Sequence, residues 1–122
     1  MLVGPSRVSK SATCFVLAYR GIRAANVPLV PDTGPPIELT SLDPRKVIGL
    51  TSTVHRLQTV RQARVESMRM GELDSYVDTR EIAKELRYAN GIMQKYGWRC
   101  VDVSFKAVEE IAKEVLRLIG RA

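Results

Sequence analysis

Short apolar runs alternate along this chain with longer stretches in which apolar residues return every three or four positions, a pattern that predicts strands each followed by a helix. Met1-Leu2-Val3 reads as the end of a first strand, and residues 12–18 start a helix directly behind it. Residues 24–30 read as a second strand, with Pro28 favouring an edge position or a strand start because proline cannot donate to a ladder. Pro31-Asp32-Thr33-Gly34-Pro35-Pro36 makes a rigid loop. Residues 46–51 give a buried third strand, and Val54, Leu57, Val60, Ala63, Val65 and Met68 mark the helix after it, closed by Gly71. A narrower stripe of Ile82, Leu86, Ala89, Met93 and Tyr96 predicts another helix ending at Gly97. Residues 99–104 form the fourth strand, and Val108, Ile111, Ala112, Val115, Leu116 and Ile119 form the closing helix, with Glu109 and Glu110 at its positive end. The predicted class is α/β, a three-layer parallel sheet of about four strands with crossover helices. Ligands of open parallel sheets bind beyond the carboxyl ends of the strands, which gathers residues 4–11, Asp32, residues 51–53 and Ser104 on one rim.

At 122 residues the chain has the length of one domain. With 45% hydrophobic and 26% charged residues and no apolar run near the length of a bilayer span, a soluble protein without a membrane partner is expected. The start shows no charged segment followed by an apolar one, so a cytoplasmic location is expected. Cys14 and Cys100 fall on different elements without metal-ligand spacing, which favours reduced thiols over a disulfide or a zinc site. A formal charge of +6 predicts attraction to anions. Nucleic acid is not the expected partner, because aromatics make up only 6% of the chain and are not interleaved with a basic patch.

Gly4-Pro5-Ser6-Arg7-Val8-Ser9-Lys10-Ser11 matches the phosphate loop G-x-x-x-x-G-K-[ST] at every anchor but one, with Ser9 in place of the second glycine. Such a loop turns backbone N–H groups inward around an anion, while a lysine reaches the outer phosphates and a hydroxyl takes Mg²⁺. Lys10 and Ser11 would fill those roles, on ADP or ATP with Mg²⁺. The motif sits between a strand and a helix, the context it requires. The plainer reading is a basic, Ser-rich turn in which Ser9 or Ser11 caps the helix. Only Leu2 and Val3 precede the glycine, where a central strand has about five residues, so the first strand is read as truncated.

Phosphoryl transfer consists mostly of positioning and charge stabilisation, so cations beyond the loop lysine are expected near the site. Arg7 is aimed by the loop itself; Arg56 is a further cation; Arg61 and Arg64, three apart on one helix, would clamp phosphate or simply form a solvated basic face. The candidates for a general base are Asp32, Asp102 and His55. The Pro-Asp-Thr-Gly turn explains Asp32 without catalysis, and a lone histidine at a helix start is more often exposed or capping. Asp102 either orients Mg²⁺ or Ser11, or hydrogen-bonds neighbouring backbone before the last helix.

The loop has the particular form G-x-S-R-x-S-K-[ST], and it resembles the regulatory proteins of pyruvate, phosphate dikinase and phosphoenolpyruvate synthase. Ala25-Asn26-Val27-Pro28-Leu29-Val30-Pro31, Gly49-Leu50-Thr51, Arg56-Leu57, Arg61-x-x-Arg64, Asp102-Val103-Ser104 and Glu109-Glu110 extend the resemblance over essentially the whole chain. Val8, Ala12 and Val54-His55 depart from it without removing an anchor. The resemblance implies a P-loop nucleotide-binding domain over residues 1–122, similar to the C-terminal part of a longer architecture whose N-terminal part is absent. It further implies an ADP-dependent protein-threonine kinase that also removes the phosphate with inorganic phosphate as co-substrate, releasing pyrophosphate. The protein partner would be the dikinase or the synthase, and Gly4 to Ser11 would inherit the nucleotide-binding role; by the chemistry of the residues themselves, Lys10, Arg7 and Asp102 are the catalytic candidates, and Arg61 with Arg64 could clamp phosphate or the acceptor's phosphothreonine. Surface left bare by a missing part would favour a homodimer. Two other classes remain open, a nucleotide-binding piece without catalysis and a kinase of small metabolites.

Overall fold

The computed structural model describes residues 1–31, 34–68 and 78–120, the last four residues of the second span as backbone only. Four strands, β1 (Leu2–Gly4), β2 (Asn26–Pro28), β3 (Ile48–Thr51) and β4 (Arg99–Asp102), form one sheet in the order β2-β1-β3-β4. All three pairings are parallel. The long connections are helices: α1 (Lys10–Tyr19), α3 (Val54–Met68), α4 (Thr79–Lys95) and α5 (Val108–Leu118). A four-residue helix, α2 (Ile37–Thr40), and a 3₁₀ turn at Pro44–Lys46 lie between β2 and β3. The expected α/β class and parallel four-stranded sheet are what the chain adopts.

Alternating strand residues serve the two faces of the sheet. Leu2, Ile48 and Leu50 are buried with Leu17 of α1 and with Ile111, Ala112 and Val115 of α5. Val3 is buried with Ala89 and Met93 of α4 and with Trp98. Gly49 is the position where α4 comes closest, since a Cβ there would run into the Met93 thioether. β2 lies at the sheet edge, where Pro28 leaves no donor unpaired, and the ladder continues past it through Leu29 N–H to the Gly4 carbonyl at 2.9 Å. β1, although only three residues long, is central and pairs on both sides.

The apolar positions expected on α3 need correction. Leu57 is buried and Val54 and Val60 are half-buried, but Ala63 is exposed, and the inward position one turn after Leu57 is Arg61. Steps of three drift around a 3.6-residue helix, whereas the step of four from Leu57 to Arg61 keeps to the inner face. The side chains of Val65 and Met68, and Gly71, lie outside the described residues. α4 follows its stripe closely, with Ile82, Leu86, Ala89 and Met93 all buried.

Candidate functional site

β1 ends at Gly4 and α1 begins at Lys10, so the intervening residues must reverse the chain at the carboxyl edge of the sheet. They do so through two non-glycine residues of positive φ, Arg7 at +71° and Ser9 at +65°. Ser9 is left-handed (ψ +25°) and Lys10 is helical, an alternation that turns successive N–H groups toward one side and can form a concavity suited to an anion. Ser9 occupies the N-cap position of α1, yet its side chain makes no capping hydrogen bond, which removes the plainer reading of this serine. The first turn of α1 also carries no acidic residue to offset the helix dipole. Glycine suits the position for its handedness as well as its small size; serine there carries a strain of about 1 kcal/mol.

Lys10 is only 7% exposed, and its Nζ donates to the Pro5 carbonyl at 2.6 Å. Burial, followed by the nearby positive charges of Arg61 and Arg7, brings its pKa down from 10.5 to about 8. The arrangement therefore concentrates positive charge at the loop, and a bound anion would relieve it.

Arg61 is 0% exposed. Its Nη2 donates to the Glu85 carboxylate of α4 at 2.5 Å and to the Ser6 carbonyl of the loop at 3.3 Å, so one guanidinium ties α3, α4 and the loop together. Arg64 is exposed and lines a shallow groove with Arg7, Arg56 and Thr59. The structure thus separates the two arginines proposed as one clamp, because three residues along a helix turn a side chain about 60° away from the inner face.

A cleft beside the loop is lined by Ser6, Arg7, Ser9, Lys10 and Ser11 together with Asn26 of β2. The exposed Ser11 stands in the first turn of α1. The left-handed loop, the crowded cations and the helix N-terminus together can attract an anion. A larger hollow at the amino ends of β1 and β3 is lined by Leu17 and Val115 together with Arg23, Asp43 and Arg45, and includes none of these loop residues.

At the carboxyl ends of β3 and β4 the polar groups engage one another. Asp102 Oδ1 accepts from Ser104 N–H at 2.9 Å and from Ser104 Oγ at 2.5 Å. Ser104 Oγ in turn accepts from Thr53 N–H at 3.1 Å and lies 3.3 Å from Ser52 Oγ. Of the two readings of Asp102, the geometry matches the local one. Those hydrogen bonds, side chain first and backbone second, hold its carboxyl below the usual carboxylate range and make it a weaker base. His55 is exposed in the first turn of α3. Asp32 lies outside the described residues.

The sequence model of the kinase/pyrophosphorylase family matches residues 1–116. The chain belongs to this family. It is 45% identical over 118 residues to a protein of Carboxydothermus hydrogenoformans, 42% identical over 118 residues to one of Oceanobacillus iheyensis and 41% identical over 122 residues to one of Rhodospirillum rubrum. All three relatives are named pyruvate, phosphate dikinase regulatory proteins. The matches cover 97%, 97% and 100% of this chain but 43%, 44% and 44% of the relatives, so the chain spans less than half their length.

Two further residues, one tied to the loop through Arg61 and one on the rim, escaped sequence reasoning. Glu85 was hidden because it flanks the apolar stripe of α4 like any solvated carboxylate, although an arginine one turn beyond Leu57 signals that a buried counter-charge is needed. Phe105, 84% exposed next to Ser104, has no periodic partner to draw attention to it.

Proposed function

We propose that this chain holds the phosphates of ADP or ATP within a protein-threonine kinase and phosphate-dependent phosphorylase acting on pyruvate, phosphate dikinase or phosphoenolpyruvate synthase. The observation that carries the reading is Lys10, nearly buried beneath a left-handed loop with two arginines acting on it. Loop N–H groups would bind phosphate oxygens, Lys10 and Arg7 would offset charge on the transferring group, and Ser11 would hold Mg²⁺ together with phosphate oxygens. In the forward direction the threonine oxygen bonds to the nucleotide's terminal phosphorus, the bond to its bridging oxygen breaks, and the hydroxyl proton leaves to a base. In the reverse direction inorganic phosphate attacks the phosphothreonine phosphorus, threonine oxygen leaves with a proton, and pyrophosphate is released. Asp102 acts here by fixing Ser104 and the ends of β3 and β4. Arg64, on the groove beside Arg7, would meet the acceptor's phosphate.

Calorimetric titration of ADP with Mg²⁺ tests the reading. Saturable binding is expected, weakened about thirtyfold by Lys10→Ala, the usual scale for a hydrogen bond from a charged donor. Absence of binding in the parent chain, or equal affinity in the variant, would sink it. One observation favours a second reading, binding without catalysis: the Asp102 carboxyl, a candidate base at the rim, is engaged by Ser104 and held below the usual carboxylate range. ADP affinity with no phosphate transfer to either target enzyme would select that alternative.

The same lysine sets a pH dependence. In the free protein Lys10 loses its proton near pH 8. A bound anion favours the protonated form and raises that pKa, so affinity falls as pH rises above about 8, by up to about tenfold per pH unit. The nucleotide's phosphates are already fully ionised there, since their last pKa is about 6. Titrations between pH 7 and pH 9.5 should show the decline in the parent chain and not in Lys10→Ala; parallel profiles would refute the assignment.

A further inference from the structure

We infer that Phe105, with the Arg56 guanidinium over its ring, is the seat of the base of a nucleoside diphosphate whose phosphates lie in the Gly4–Ser11 loop; this rests on the phosphate-loop reading above. Phe105 is a large aromatic side chain left 84% exposed on the rim where the loop lies, and the Arg56 carbon Cζ is 5.9 Å from its ring centroid. Arg56 also lines a groove with Arg7 of the loop, so the residue that covers the ring neighbours the loop as well.

The backbone beneath the ring is fixed from several directions. Val103 N–H donates to the Thr51 carbonyl at 2.8 Å, Ser104 N–H to Asp102 at 2.9 Å, and Lys106 N–H to the Val103 carbonyl at 3.2 Å. Lys106 Nζ adds a hydrogen bond to the Asp102 carbonyl at 2.8 Å. Phe105 is therefore presented at a set place, which lowers the ordering cost of stacking on it. β1 and β4 are separated by β3 alone, so loop and ring are roughly 10 Å apart across the rim at ordinary strand spacing. That is the span from the outer phosphate to the base in an extended nucleoside diphosphate. An aromatic face beside a guanidinium offers stacking and cation–π attraction to any base, without hydrogen-bond readout.

The test compares Mg²⁺–ADP with Mg²⁺–pyrophosphate, which shares the phosphates and lacks the base. Both are titrated into the parent chain, Phe105→Ala and Phe105→Trp, with buried Trp98 reporting on the fold. Phe105→Ala is expected to weaken ADP about tenfold and leave pyrophosphate unchanged, while Phe105→Trp keeps ADP affinity. Equal ADP affinity in the parent and Phe105→Ala, with pyrophosphate still bound, overturns the base seat and spares the phosphate loop. An equal loss of both ligands also overturns it, since Phe105 would then act through the loop. Failure of both ligands to bind the parent chain overturns both readings together.

Discussion

Gly4→Ala is expected to destabilise the chain by about 4 kcal/mol and to abolish phosphate binding. Gly4 ends β1 with φ at +152°, where a side chain is strained at a cost of about 1–3 kcal/mol. A Cβ there would also collide with the carbonyl oxygen of Leu50 and press on Val8 Cγ2 at 3.2 Å. Leu50 belongs to β3, whose register with β1 is fixed by Leu2↔Ile48 and Val3↔Gly49, so its carbonyl cannot yield without opening the centre of the sheet. Overpacking of this kind adds about 1–3 kcal/mol. Gly49→Ala is the internal comparison, because the added methyl meets the flexible end of Met93 and should cost about 1–2 kcal/mol. Denaturant unfolding of both variants, with pyrophosphate titration, checks the pair. A loss below about 1 kcal/mol for Gly4→Ala would mean that β1 and the loop can shift freely, contrary to the packing described.

Glu85→Ala is expected to cost about 3–5 kcal/mol, far more than loss of a surface ion pair, because it removes the Glu85 carboxylate from the fully buried Arg61 guanidinium. Glu85 is itself 26% exposed, which places the effect toward the lower end of that range. Replacing both partners, as in Arg61→Met with Glu85→Leu, removes the buried charge as well and should recover most of the stability. Phosphate affinity should not recover with it, since the Ser6 carbonyl loses its tie to α3 and Lys10 loses a neighbouring cation. Thermal unfolding and pyrophosphate titration across the two singles and the double separate these effects. A double variant that binds pyrophosphate as tightly as the parent would remove Arg61 from the site and leave it a packing residue. Together with the pH dependence of Lys10, this cycle asks whether the loop's charge is arranged from beneath as well as from its own residues.

What the sequence determined by itself was everything set within a few residues of chain. The alternation of apolar periods located the four strands and the long helices, and Pro28, having no N–H to donate, favoured an edge position or a strand start for β2, of which the sheet realises the edge. The loop motif placed Lys10 at a helix start, because anchor spacing in a tight turn is a local property. α2 was missed because four residues after a proline pair carry no readable period. Only the tertiary structure decided which polar groups meet. It buried Arg61 against Glu85 rather than beside Arg64, turned Asp102 onto Ser104 and its hydroxyl onto Thr53, and set Arg56 over Phe105. Apart from the Asp102–Ser104 turn, these contacts join residues far apart in the chain, and a charged side chain reads alike in sequence whether it is solvated or enclosed. Its chemistry is fixed by the partner and the burial that the strand order brings to it.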